Sequence, residues 1–170
     1  MSTKKILIDT SSRAKNLNLF IISFFLITLI IPFIIIKVLE NSLVAVFLTS
    51  NIYILILLIL INIIFLFIGS YYSLLKIDSY IINIYSSRIS NKDNLLDIKH
   101  DMLNRFYFKK SFLSWNTILY INYVKKNNIN ITRKFYFTFL SLDERERISN
   151  SLKKILNNNE QRRQFYWRKY

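Results

Sequence analysis

Asp93, Asp97, His100 and Asp101 stand at i, i+4, i+7 and i+8. At that spacing a helix presents three carboxylates and an imidazole on one side, a set able to hold a divalent ion. A solvated face neutralised by Lys92, Lys99 and Arg105 explains them equally well, and metal sites usually draw ligands from more than one element, so no metal is assigned. His100 is the sole histidine and no G-x-S-x-G elbow is present, so no nucleophile triad can be assembled. Without cysteine, disulfides and cysteine-ligated zinc or iron-sulfur centres are excluded. The other chemically distinctive stretch is the C-terminal QRRQFYWRKY, where Arg162, Arg163, Arg168 and Lys169 surround Phe165, Tyr166 and Trp167. Cations beside aromatics suit cardiolipin-like headgroups, an acidic partner protein or stacked RNA bases. Arg162, Arg163, Trp167, Arg168 and Lys169 are therefore read as a lipid- or partner-docking cluster, with no catalytic residue, cofactor or metal assigned anywhere.

The elements that position these residues follow from apolar patterning. The 170-residue chain is 52% hydrophobic yet carries a formal charge of +14, with one Gly and one Pro. An ordinary soluble domain has about 7% Gly and 5% Pro, and a disordered basic tail would lack the apolar residues. Asn16 to Ile36 is an uncharged run of twenty-one residues, and residues 41–75 form another of thirty-five. A helix needs about 20 such residues to cross the hydrocarbon layer. The reading is a hairpin with spans at about 17–36 and 52–75, and no cleavage site follows the first. Residues 1–17 carry Lys4, Lys5, Arg13 and Lys15 against Asp9, the turn carries Lys37 against Glu40, and residues 76–170 hold nineteen basic against eight acidic residues. The positive-inside rule then puts both termini in the cytoplasm, or in the matrix of a mitochondrion.

Within the spans, Pro32 removes the amide that would bond the Thr28 carbonyl and predicts a kink. Asn62, mid-span, is expected to face another helix, and Gly69 with Ser73, four apart, to admit a close helix backbone. Neither span contains a Lys, Arg, Asp, Glu or His, so nothing at membrane depth can relay a proton, ligate haem or pair with an ion. Beyond the membrane, Ile77, Tyr80, Ile81, Ile84 and Tyr85 fit a helical period, and Leu95 to Phe106 reads as a second helix. Ser111–Val124 leans helical, while Arg133–Leu140 alternates as a strand, a reading in which KKNNIN is the hairpin turn, leaving 111–140 open between helix and β-hairpin. Ser141-Leu142-Asp143-Glu144 is a capping box that opens a helix to about Leu156, which Asn157–Asn159 should end. The fold class expected is an all-α membrane protein: a basic segment 1–16, a transmembrane hairpin 17–75 and a mainly helical basic region 76–170.

The segments LFIISFFLITLIIPFIII and IYILILLILINIIFLFIGSYYSLL, in an Ile/Phe/Tyr/Asn/Lys vocabulary, resemble the divergent small membrane subunits of oxidative phosphorylation complexes encoded in AT-rich, ciliate-type mitochondrial genomes. That likeness is of style and carries over no catalytic or cofactor residue. It implies a non-catalytic accessory subunit of a respiratory chain complex or supercomplex in the mitochondrial inner membrane, both termini in the matrix, with other membrane subunits and lipids such as cardiolipin as partners. The stalk subunit of an ATP synthase is the alternative within this class, although a stalk would be a long Glu/Lys/Ala-rich helix. A membrane tether for RNA or a ribosome is the alternative from another class, with nucleic acid the less favoured partner because topology already explains the basic excess.

Overall fold

The computed structural model describes the backbone of residues 5–38, 42–88, 91–111, 115–125 and 129–167, and their side chains except at 45, 66–68, 91–93, 163 and 165–167. The chain forms two compact units, one of residues 15–70 and one assembled from 1–14 and 71–170. The first is helical. The second is built mainly of β-strands, so the all-α expectation is wrong.

The helical unit begins within a continuous helix, Ser11–Val38, made of α1 (Ser11–Phe25), a π-helical turn (Leu26–Ile30) and α2 (Ile31–Val38). At 28 residues it is long and apolar enough to cross a membrane. The wide turn closes with the Ile31 amide on the Leu26 carbonyl, directly before Pro32, where the ladder loses a donor. Two helices follow, α3 (Leu43–Ser50) and α4 (Ile52–Ile68). The expected second span, 52–75, is not one helix. α4 has 17 residues and stops at Gly69, whose φ of 58° and ψ of 178° lie in a region open essentially only to glycine. Among the described residues, the Ser11–Val38 helix is therefore the one that meets the length for crossing.

In the second unit, β1 (Ile6–Asp9), β2 (Tyr72–Ile77), β3 (Ile81–Arg88) and β4 (Asn91–Lys99) form an antiparallel sheet in that order. β5 (Leu103–Lys110), β6 (Asn116–Val124) and β7 (Asn130–Thr138) form a second. The expected helices over 77–85 and 95–106 and the helical lean for 111–124 are corrected accordingly. The physical reason is that Ile-rich doublets fit both periods. Ile82, Ile84 and Ser86 are buried while Ile81, Asn83 and Tyr85 are not, a period of two that i, i+3, i+4 matching had masked. The open choice over 111–140 resolves to a hairpin, β6 pairing β7 from Asn116↔Thr138 to Val124↔Asn130.

The core joins Leu75, Ile77, Ile82 and Ile84 of the first sheet to Leu119, Ile121, Phe135 and Phe137 of the second, closed by Ile148, Leu152 and Ile155 of α5 (Leu142–Trp167). The capping box that opens α5 is made in full: the Glu144 amide donates to Ser141 Oγ at 3.2 Å, and the Ser141 amide donates to Glu144 Oε2 at 2.9 Å. The helix does not end at the asparagines. Asn159 continues the 148, 152, 155 stripe, is buried, and donates from Nδ2 to the carbonyls of His100 (2.7 Å) and Leu103 (3.2 Å). The N-terminal segment is not separate either, because β1 is an edge strand of the first sheet.

Candidate functional site

In the helical unit Asn62 pairs with Thr28 and Ser70 with Asn18. Asn62 is 3% exposed, and its Nδ2 donates to Thr28 Oγ1 at 2.9 Å and to the Leu58 carbonyl at 2.8 Å. Thr28 Oγ1 in turn donates to the Phe24 carbonyl at 2.7 Å, so one hydroxyl serves both helices. The Phe24 ring meets Phe65 edge-on at 5.4 Å, and Ser70 Oγ donates to Asn18 Oδ1. The pairs 18–70, 24–65 and 28–62 set α4 antiparallel to the long helix with a zipper of polar and aromatic contacts. Outward, Phe20, Ile27, Phe33, Ile56, Leu60 and Ile64 present an apolar surface.

Gly69 and Ser73 do not form the expected helix-packing pair. Gly69 turns the chain out of α4. Ser73 lies in β2 opposite Ser86 of β3, both fully buried, with the two hydroxyls 3.2 Å apart and both reaching the Tyr136 carbonyl of β7. The Tyr136 amide donates to Ser86 Oγ at 3.2 Å. Two small hydroxylic side chains thus let the β7 backbone lie directly on the first sheet, and a sequence pattern of small residues four apart gave no sign of it.

At the end of the β unit from which the chain leads into residues 15–70, the Tyr71 amide donates to Thr138 Oγ1 (2.8 Å), which donates to Asn116 Oδ1 (2.8 Å). Arg13 forms a two-pronged pair with Glu144 at 2.6 and 2.7 Å and also donates to the Phe139 carbonyl at 2.9 Å. The guanidinium, aided by the Ser141 amide and hydroxyl, holds the Glu144 carboxyl down to about 2, and Glu144 raises Arg13 in return. Burial pushes the Tyr71 phenol up, opposed by the charge of Arg88. Phe139 takes a φ of 51°, an αL conformation that disfavours a bulky side chain.

The acidic–histidine set is not assembled. Asp97 sits in β4 and His100 and Asp101 in a 3-10 turn, so helical spacing does not apply, and among the described residues no three His, Asp or Glu side chains come together. Asp93 belongs to β4, its side chain outside the described residues. Burial is the main influence lowering the His100 pKa, and its Nε2 is enclosed without a partner. Of the C-terminal cluster, Arg162 is exposed on the distal part of α5; the side chains of Arg163 and Trp167, and Arg168 and Lys169 entirely, lie outside the described residues. From Glu144 to Arg162 the helix rises about 27 Å at 1.5 Å per residue, which puts Arg162 at the His100–Leu103 end of the unit, away from Arg13 and Tyr71. A groove of about 500 Å³ along the edge strand β1 is lined by Lys5, Leu7, Arg147, Asn150 and Ser151 among others.

Comparison with protein-family models, with curated proteins and with solved structures finds no match.

Proposed function

We propose that this chain is a non-catalytic, membrane-anchored accessory subunit. Residues 15–70 lie in a bilayer, and the basic β unit is held on one face of it to dock on partner proteins. One observation carries this reading. β1 precedes the apolar unit and β2 follows it, yet they pair from Ile6↔Ile77 to Asp9↔Leu74. Whatever path the apolar residues take, they leave and return on the same side. Further support comes from the outward Ile, Leu and Phe side chains, which would be an aggregation surface in water and are at no disadvantage among acyl chains. The inward Asn62–Thr28 bond satisfies the polar groups that lipid would leave unpaired.

The setting is the one its style resembles: a respiratory chain complex of the mitochondrial inner membrane, with the β unit in the matrix. The extramembrane sheets fit this better than an ATP synthase stalk, which would be one long helix. In this setting Arg162, far from the Arg13–Tyr71 end, serves a partner protein and not the lipid. Carbonate extraction followed by mild solubilisation and mass spectrometry of co-purifying chains tests the reading. Retention in the membrane and migration with other membrane subunits is the expected result. Release by carbonate, or a folded monomer in mild detergent, overturns it, and ribonuclease-sensitive co-purification would transfer the role to an RNA tether.

A further inference from the structure

We propose that the turn from Phe139 to Leu142 is a lipid-interface anchor of the β unit, inserting its two apolar side chains at headgroup level. The inference rests on the membrane reading given above. Phe139 is 47% exposed and Leu142 73%, although the surrounding backbone is firmly held. The Phe139 amide donates to the Trp115 carbonyl at 2.6 Å, its carbonyl accepts from Arg13, and Leu142 follows directly on the capping-box serine. A phenylalanine kept at positive φ costs free energy that a glycine there would avoid, and this tight fixing aims the ring outward instead of letting it fold onto the core.

The position of this turn identifies its occupant. Arg13 lies two residues before the apolar unit begins, and Tyr71 directly after it ends. Arg13 grips Phe139, and the Tyr71 amide donates to Thr138, so the turn is tied to both stretches of chain that lead into lipid. Lys109 and Lys110, exposed at the end of β5, stand at the same end through the Ser111 amide on the Asn116 carbonyl. They only balance the exposed carboxylates of Asp9 and Asp143 there, the half-buried Arg88 being engaged with Tyr71, so the apolar pair is the main anchor.

The chain contains no cysteine, which makes single-site nitroxide labelling clean. The full chain is reconstituted in nanodiscs of phosphatidylcholine with an anionic phospholipid, and labels are placed by Phe139→Cys, Leu142→Cys, Ile56→Cys on the outward face of α4, and Asn130→Cys at the opposite end of β7. Collision with oxygen against a water-soluble nickel complex reports depth. Labels at 139, 142 and 56 are expected to favour oxygen, and the label at 130 to favour nickel. If 139 and 142 behave like 130 while 56 favours oxygen, the anchor is refuted and the membrane reading stands. If 56 also favours nickel, the membrane reading falls and the anchor with it. Should Phe139→Cys fail to fold, the exposed Leu142→Cys site decides alone.

Discussion

Glu144 combines three roles in one carboxylate: it closes the capping box, chelates Arg13 and thereby ties the start of α1 to the start of α5. Glu144→Gln is expected to cost about 1–3 kcal/mol near neutral pH, read from denaturant unfolding, because a charged two-pronged bond is lost. The pH dependence has a definite sign. The folded pKa, about 2, is below the ordinary 4.5, so the stabilisation is complete above about 4.5 and fades as the pH falls toward 2. The glutamine variant should lack this slope, and an identical acid limb in both proteins would disprove the assignment. Phe139→Gly separates strain from packing. Relief of the αL penalty outweighs the entropy of glycine, so thermal unfolding in detergent should show stability unchanged or raised by up to about 1 kcal/mol. The capping box was legible in the sequence because its donors and acceptors are local. Arg13 as its partner was not, because 131 residues separate the two.

The elements divide by whether one period or two could describe them. The long first apolar run and the opening of α5 announce helices on length and capping alone, and Phe135 and Phe137 announce a strand by strict alternation. β2 was absorbed into the expected second span, and β3 to β5 were misread because side chains such as Ile81 and Ile82 sit next to each other, satisfying a helical stripe while only one of them is buried. Asn159 was read as a helix stop for want of a tertiary partner, and its two backbone acceptors reverse that. Ser73 shows the same blindness: as a small residue it suggested helix packing, whereas its neighbour across the sheet makes it a seat for β7. Ser86→Val should cost about 2 kcal/mol, since it leaves the Tyr136 amide short of its acceptor and crowds the strand; an unchanged denaturation midpoint would show the seat to be dispensable. In the helical unit, Asn62→Leu removes the bond to Thr28 and is expected to lower stability in detergent by about 0.6 kcal/mol, with 1.7 as the upper bound for such pairs.

For the whole molecule, pairing of β1 with β2 makes a strict statement about sidedness. Lys5 beside β1 and Lys153 on α5 are both exposed. In sealed vesicles an impermeant amine reagent should modify both from one side or neither, and modification of one alone would break the one-sided arrangement. The helical unit was visible in the sequence as charge-free length, but the sharing of the N-terminal segment with the distant sheet was not, since four residues of β-strand carry little pattern. That sharing bears on biogenesis. On a translating ribosome β1 emerges before the apolar stretch and must wait, unpaired, until that stretch has been delivered and β2 follows. If the apolar stretch lies in a bilayer as proposed, a copy inserted with the wrong parity strands β1 on the far side and leaves β2 as an open sheet edge. On the proposed membrane reading, correct insertion and a completed sheet would be a single event, and the fold would report its own topology.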